Sequence, residues 1–341
     1  MTNRATTFEA KIGCLRSPQA DLSFPIGRSF MVKNGTVENV AEFWSTEACG
    51  THFVPDFADD REFYRKFREY RYETEWHLPV LVPFAQTKGK KVLEIGTGNG
   101  ADGVMFAQNG ADYTGVDLTE TALEATRRHF AVLGLSGSFQ LENAEKLSFP
   151  DGSFDWVYSH GVLHHTPNTQ RAIDEVWRVL KPGGQAIVML YHKHSFNYFV
   201  RIMIYMRARV FLKILSRMGK WTQDRREMAR EKVSGLRGNR DRQVWEIHYQ
   251  NFLRRGWSYL RARNFVHHCT DGPECPIAYA FSRPEAEALF TKFENVHMTV
   301  AHFPLRRYRF GRLIPFAIEK WFAPKIGWYL FIQAQKPDIR V

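Results

Sequence analysis

Cysteine is scarce in this sequence of 341 residues. The four cysteines are widely spaced, which argues against a disulfide scaffold and favours a reducing compartment. Cys269 and Cys275, with the neighbouring His267 and His268, lack the paired spacing of a closed zinc site, so we predict no metal. The first ten residues also lack the apolar stretch of a secretory signal. We therefore expect a cytoplasmic protein.

Long uncharged apolar runs are missing as well. The nearest candidate, 196–215, is interrupted by four cations, so we do not expect it to span a membrane. Its Phe, Ile, Met and Leu residues, combined with cations, would suit a helix that lies on a membrane surface.

Acidic residues are few in one part of the chain. The segment 196–265 has 17 Lys/Arg and 5 Asp/Glu, which accounts for the whole net charge of +11. Such a segment could contact an anionic membrane, nucleic acid or an acidic substrate. It could equally be a solvated, Arg-rich helical surface.

The pattern that is present is an alternation of short apolar strands and amphipathic helices after residue 88. Strand candidates alternate with helix candidates in the order 91–95, 103–108, 112–116, 119–133, 154–158, 170–180 and 185–190. This alternation predicts βαβ units and a mostly parallel α/β sheet covered on both faces.

The flanking regions predict helices first and a return to the sheet last. Helical pieces precede the alternation between residues 37 and 83, and a basic helical stretch follows it. Ser282 then precedes Glu285 by three residues, which predicts a helix start with a capping box. Strand candidates at 295–301 and 328–335 follow.

These patterns divide the chain into four parts. We expect an N-terminal helical extension or lid over 1–85 and a Rossmann-like core over 86–195. A basic helical insertion, or cap, should cover 196–270, and 271–341 should complete the core sheet.

A glycine-rich turn follows the first predicted strand. In Glu94-Ile-Gly-Thr-Gly-Asn-Gly, the glycines Gly96, Gly98 and Gly100 allow a sharp turn and the close approach of a ligand. The G-x-G-x-G spacing differs from that of a dinucleotide-binding dehydrogenase, which leaves an NAD-dependent oxidoreductase as a disfavoured alternative. The Glu94 carboxylate suits the cationic amino group and sulfonium of S-adenosylmethionine (AdoMet) better than it suits a pyrophosphate.

Polar residues also end the next two strands. Asp117 could accept both ribose hydroxyls of an adenosine, since Thr119 can cap the following helix itself. Asn143 could bind the adenine amino group and Ala144 could line the ring, with Glu145 as the next candidate.

Five ordered motifs between Lys91 and Tyr191 resemble those of the class I AdoMet-dependent methyltransferases, within them the type found in ubiquinone and menaquinone biosynthesis. The motifs are the glycine turn, Gly115-Val-Asp117, Phe149-Pro-Asp-Gly-Ser-Phe-Asp-Trp-Val, Leu163-His-His-Thr-Pro and Arg178-Val-Leu-Lys-Pro-Gly-Gly.

The resemblance implies a seven-stranded sheet whose last strand is antiparallel, with AdoMet as cofactor across the carboxyl ends of the first strands and S-adenosylhomocysteine as product. Asn143 departs from the Asp more usual at its position. The expected cofactor contacts are Glu94, Gly96, Thr97, Gly98, Gly100, Asp117, Leu118, Asn143, Ala144, Glu145 and Ser159. Arg71 and Tyr72 could reach the methionine carboxylate, although Arg71 could instead pair with Glu73 or Glu75.

If the atom that receives the methyl group carries a proton, a base near the strand ends must remove that proton. The candidates for this catalytic role are His160 after the fourth strand and Tyr191 and His192 after the fifth. We expect His164 and His165 to be mostly structural. Trp44, Cys49, His52 and Asp271 are candidates for a lid.

The acceptor itself is left open by the sequence. We expect a small-molecule acceptor, lipophilic or aromatic, with peripheral contact between 196–265 and an anionic membrane. The alternatives are an RNA or protein methyltransferase that uses the basic segment, and a non-catalytic AdoMet-binding protein. Ser159-His-Gly-Val stands where base-amino methyltransferases place Asn/Asp-Pro-Pro-Tyr/Phe, and no RNA-binding module is recognisable, which argues against nucleic acid.

Overall fold

The computed structural model describes residues 35–46, 59–220, 224, 240–305 and 311–338. Eight strands occur in this part of the chain: β1 (Lys91–Ile95), β2 (Asp112–Asp117), β3 (Ser138–Leu141), β4 (Phe154–His160), β5 (Leu180–His192), β6 (Ala280–Phe281), β7 (Glu294–Ala301) and β8 (Tyr329–Gln335). They form one sheet of order β3-β2-β1-β4-β5-β8-β7.

The sheet is parallel from β3 to β5, and β8 runs antiparallel to both β5 and β7. The expected sheet with an antiparallel last strand is therefore confirmed, and seven of the eight strands follow the order given above. The two-residue strand β6 was not predicted; it pairs with Tyr191 and His192 at the end of β5.

Eleven α-helices occur among the described residues: α1 (Val37–Thr46), α2 (Asp60–Thr74), α3 (Leu78–Leu81), α4 (Ala101–Gln108), α5 (Glu120–Val132), α6 (Thr169–Val179), α7 (Arg207–Ser216), α8 (Arg240–Arg255), α9 (Ala262–Phe265), α10 (Arg283–Leu289) and α11 (Phe316–Ile326). A π-helical segment, Asn197–Met206, leads directly into α7. Short 3-10 helices occupy Phe84–Thr87, Leu163–His165, Met218–Lys220, Gly256–Leu260, Val266–His268 and Gly311–Leu313. Within these residues, no helix combines the length and the apolar composition needed to cross a bilayer.

Helices cover both faces of the sheet, as near-continuous apolar strands require. Along β1, Val92 packs into the cluster shared with α3 and α4, whereas Leu93 packs on the opposite face with α6. On α6, Ile173 and Val176 belong to the buried stripe that meets this second face.

Local signals set the helix starts. Thr119 caps α5 by accepting a hydrogen bond from the Ala122 amide. Ser282 caps α10, and the predicted capping box with Glu285 is confirmed. The basic segment between β5 and β6 is helical where it is described, and Ile202, Val210 and Phe252 there are buried in the same cluster as Val92.

Candidate active site

A cavity of about 380 Å³ lies at the carboxyl ends of β1, β2 and β4, where Ile95, Asp117 and His160 line it. At this point the strand order reverses, because β1 lies between β2 and β4. Open α/β sheets bind ligands at such switch points, and the volume falls within the range of small-molecule sites. Helices α1 and α2 supply the opposite wall of the cavity.

The glycine turn forms the floor of the cavity. Gly96 has φ +85°, and a Cβ there would lie 2.1 Å from the side chain of Val162, so glycine is required for close packing. Gly98 has φ +53° with open space around its Cβ position, which leaves its backbone accessible to a ligand. Thr97 also lines the cavity, and its buried hydroxyl has no hydrogen-bond partner among the described residues.

Asp117 lies at the end of β2, beside this turn. Its carboxylate accepts hydrogen bonds from the Gly98 amide at 3.3 Å and from the amide and hydroxyl of Thr119 at 3.0 Å. Burial raises the pKa of this carboxyl, although these hydrogen bonds oppose the shift. The carboxylate is thus held in a fixed orientation at the cavity, and Leu118 lines the wall next to it.

The loop after β3 contributes Asn143 and Ala144 to the lining. The Asn143 side-chain oxygen accepts a hydrogen bond from the Glu145 amide at 2.9 Å, which turns the loop locally. Glu145 itself is not among the lining residues; its carboxylate accepts a hydrogen bond from the Asn168 amide at 2.7 Å. Its predicted cofactor contact therefore stays a prediction.

Glu94 is a buried carboxyl in the cavity floor. It accepts a hydrogen bond from the Tyr113 hydroxyl at 2.6 Å. Burial, and then the negative charge of Asp102, raises the pKa of Glu94 well above its usual range. A cation bound nearby would reverse this shift by stabilising the carboxylate.

Arg71 forms an ion pair with the buried Asp102, a partner that sequence reasoning missed. The guanidinium Nε and Nη2 bind the two Asp102 oxygens at 2.9 and 2.5 Å. The hydroxyls of Tyr72 and Tyr158 bind the same carboxylate at 2.9 and 2.8 Å. Although burial opposes it, the charge of Arg71 lowers the pKa of Asp102, so this carboxyl is held ionised. Arg71 lines the cavity, whereas Tyr72 is not among the lining residues.

His160 ends β4 at the cavity wall and lies 3.1 Å, Nε2 to Oε2, from Glu75. Glu75 also accepts a hydrogen bond from the Tyr329 hydroxyl at 3.2 Å, and its Oε2 lies 3.7 Å from Nη1 of Arg71. Although burial alone would raise it, the charges of Arg71 and His160 hold the pKa of Glu75 well below its usual range. Nδ1 of His160 is buried and has no hydrogen-bond partner in the described residues.

The two other predicted bases are not among the residues that line the cavity. The Tyr191 hydroxyl binds Asp271 at 3.1 Å, and its ring stacks on Trp328. His192 is buried, with Nδ1 3.1 Å from the Gly327 carbonyl oxygen. Both side chains are thus occupied elsewhere, and their catalytic roles stay predictions.

Two further expected cofactor residues support the site from behind. The Ser159 hydroxyl donates to the Ile95 carbonyl at 2.9 Å, which ties β4 to β1. A Cβ on Gly100 would lie 2.8 Å from the Thr126 side chain, so this glycine lets α4 and α5 approach. Neither residue is among those that line the cavity.

The lid candidates separate in the structure. Trp44 lines the cavity and packs edge-on against His165, with ring centroids 5.2 Å apart. Asp271 lies 3.4 Å from Nε2 of His165. Cys49 and His52 lie outside the described residues.

One group of possible metal ligands occurs among the described residues: His165, Asp271 and Cys275 offer ligand atoms within 4.8 Å of one another. This group shares only Cys275 with the cluster considered from the sequence. The two histidines of that cluster have other partners: Nδ1 of His267 lies 2.8 Å from the Ala278 carbonyl oxygen, and Nε2 of His268 lies 2.7 Å from Arg255. The expectation of no metal stays a prediction.

The cavity polar groups fit the charges of AdoMet. The unpartnered Thr97 hydroxyl and the acidic Glu94 could meet its amino-acid end, and the exposed edge of Asp117 could meet its ribose. Sequence reasoning missed Asp102, and it named Glu75 only as a possible partner of Arg71. Asp102 could have been noticed because it is an acidic residue in the otherwise apolar helix Ala101–Gln108, directly after the glycine turn.

Comparisons with known proteins agree with this arrangement. Residues 93–188 match the methyltransferase domain family. The ubiquinone biosynthesis O-methyltransferase of Thiobacillus denitrificans is 32% identical over 134 residues, which are 39% of this chain and 56% of that protein. The demethylmenaquinone methyltransferase of Symbiobacterium thermophilum is 31% identical over 147 residues, which are 41% of this chain and 58% of that protein. The chain thus spans little more than half the length of these curated relatives.

A solved SAM-dependent methyltransferase from Methanosarcina mazei aligns with a TM-score of 0.44 and 20% identity, covering 76% of this chain and 97% of that one. The strand order β3-β2-β1-β4-β5-β8-β7, and not this alignment, defines the fold.

Proposed function

We propose that this chain, whose residues 93–188 belong to the methyltransferase domain family, is an AdoMet-dependent methyltransferase that acts on a small-molecule acceptor. The observation that carries the proposal is the cavity at the β1–β4 switch point, where a glycine turn, a buried Glu94 and a fixed Asp117 meet. The names of the two curated relatives support it, since both are methyltransferases.

Each residue has a defined part in holding the cofactor. Asp117 would accept the ribose hydroxyls, Asn143 and Ala144 would border the adenine, and Glu94 with Thr97 would meet the cationic amino-acid end. When bound, AdoMet supplies an electrophilic methyl group, and its sulfonium becomes the neutral thioether of S-adenosylhomocysteine as that group leaves. The protein therefore needs mainly to position the acceptor and to exclude water.

His160 is the base that the arrangement favours. Nε2 faces Glu75, so a proton on Nε2 leaves the lone pair on Nδ1, which has no competing partner among the described residues. An ionised Glu75 stabilises the imidazolium that forms when an acceptor proton is taken. In this role Glu75 is a positioning residue.

The acceptor we propose is a flat aromatic molecule with an ionisable hydroxyl, of the quinol or phenol class. The part of the cavity wall that the expected cofactor residues do not occupy is largely apolar and aromatic, with Val40, Trp44, Phe67 and Val162. The relatives act, by name, in ubiquinone and menaquinone biosynthesis. Peripheral contact with a membrane would suit such an acceptor; that contact and the cytoplasmic location stay predictions.

Methyl transfer from radiolabelled AdoMet tests the proposal. The full chain is incubated separately with catechols and quinols, with total RNA, and with a protein extract. We expect label in a small-molecule product together with S-adenosylhomocysteine. Label in RNA or protein alone would favour the macromolecular alternative, and AdoMet binding without transfer to any acceptor would favour the non-catalytic one.

A further inference from the structure

The helical run from Asn197 to Ser216 has an apolar outer surface. Its inner positions recur every four residues and are buried: Tyr198, Ile202, Met206, Val210 and Ile214. Beyond this stripe, eight of the 15 exposed large apolar side chains among the described residues lie between 199 and 218, and we call them the outer face: Phe199, Val200, Ile204, Tyr205, Phe211, Leu212, Leu215 and Met218. Ile204 and Leu212 are 64% and 63% exposed.

An amphipathic helix of a globular protein would carry polar residues on this side. Here the exposed face is apolar although the inner stripe already fills the core, so within the described part of the chain these apolar residues do not serve internal packing. A cluster of exposed apolar side chains of this kind marks an interaction site. Trp257, which is 53% exposed, extends the outer face through its contact with Phe211, with ring centroids 6.3 Å apart.

The charge around the outer face is predominantly positive. Residues 196–220 contain six Lys/Arg and no Asp or Glu. Among the described residues, Lys213 and Arg217 pair with Glu246, whereas Arg209 lies over the ring of Trp245 at 4.4 Å. The apolar strip is therefore bordered by a net positive charge.

We propose that the outer face docks on an anionic phospholipid membrane. Apolar side chains inserted at the headgroup boundary, together with cations attracted to anionic lipid, are the two terms of interfacial helix binding. A second copy of this chain is a poorer occupant, because a symmetric contact through this face would bring the same cations together.

Vesicle co-sedimentation of the full chain tests this assignment. We expect binding to vesicles that contain phosphatidylglycerol, weaker binding to phosphatidylcholine alone, and weakening by added salt. The double variant Ile204→Glu with Leu212→Glu should lose about tenfold or more in partitioning. Val80→Glu, at a 76% exposed position outside the segment, is the matched control and should bind as the native chain does.

The result that overturns the proposal is equal retention of the native chain and the double variant on anionic vesicles, or no binding by either. Light scattering tests whether a second copy of this chain covers the face instead. If the native chain is a dimer that does not bind vesicles, and the double variant is a monomer, the face serves self-association. Circular dichroism of each variant checks the fold. Because this readout involves no methyl transfer, its failure is distinguishable from failure of the proposed function.

Discussion

Glu94 is a residue whose charge should depend on the ligand. Burial and the neighbouring Asp102 raise its pKa well above the usual range, which favours the protonated carboxyl in the free protein. A bound cation favours the carboxylate. We expect AdoMet binding to release a proton and the affinity to rise with pH.

Calorimetric titration in two buffers of different ionisation enthalpy measures this proton release. The apparent binding enthalpy should differ between the buffers for the native chain and should become buffer-independent in Glu94→Gln. A buffer-independent enthalpy for the native chain would show that Glu94 keeps one protonation state.

Glu75 acts on the reaction only through His160. In Glu75→Gln the negative charge beside Nε2 is lost, so the imidazolium that forms when the acceptor proton is taken is less well stabilised. We expect kcat to fall by about 10- to 100-fold while the KM values stay close to those of the native chain.

The division of the loss between kcat and KM distinguishes this role from a structural one. Glu73→Gln, at an exposed position in the last turn of α2, should leave both constants unchanged. An unchanged kcat in Glu75→Gln, or a rise in KM that accounts for the whole loss of kcat/KM, would contradict the assignment of His160 as base.

At the residue scale the glycine turn and Asp117 could be located from the sequence, because each is contained in a short contiguous motif, and both line the cavity. Their contacts with a cofactor stay predictions. The Arg71–Asp102 pair and the Glu75–His160 contact could not be predicted from the sequence. Their members are 31 and 85 residues apart, and only the docking of α2 onto the strand ends brings them together.

The Arg71–Asp102 pair links α2 to α4. Its carboxylate is 3% exposed, so removing the guanidinium would leave a buried uncompensated charge. We expect Arg71→Met to lower the free energy of unfolding by about 3–5 kcal/mol, as measured by urea denaturation.

Two variants control this measurement. Arg71→Met combined with Asp102→Asn should recover part of the loss, because the unpaired charge is gone. Arg65→Met removes two exposed pairs on the same helix and should leave the free energy of unfolding nearly unchanged, because exposed ion pairs contribute little. A similar small loss in Arg71→Met would contradict the buried-pair interpretation.

At the element scale the βαβ alternation was predicted with few errors in strand position, since periodicity and caps are local signals. The two-residue strand β6 was missed because nothing in the local sequence marks it. It forms because the chain after α9 passes over the 3-10 helix Leu163–His165, where the Tyr279 amide binds the His164 carbonyl at 3.0 Å.

The whole molecule should lose stability in mild acid. Burial lowers the pKa of His77 and His268 to about 3 and that of His129 and His248 to about 4, from an ordinary value of 6.5. Below pH 6.5 the unfolded chain therefore binds protons that the folded chain does not. The free energy of unfolding should fall by up to about 1.4 kcal/mol per pH unit for each histidine until the folded groups titrate.

Urea midpoints at pH 7 and pH 5 measure this loss. His248→Gln should show a smaller decrease between the two conditions, because one buried neutral imidazole has been removed. Equal midpoints for the native chain at both pH values would contradict the burial of these four rings in neutral form.

The central claim is that the switch-point cavity binds an adenosyl sulfonium through Asp117. Calorimetric titration with AdoMet, S-adenosylhomocysteine and NAD tests it directly. We predict that both adenosyl compounds bind and NAD does not. Asp117→Ala should weaken binding by about 10- to 100-fold, as expected for lost hydrogen bonds to a charged group, whereas the exposed Asp112→Ala at the start of β2 should not. Binding of NAD alone would contradict the account and make the glycine loop a dinucleotide site.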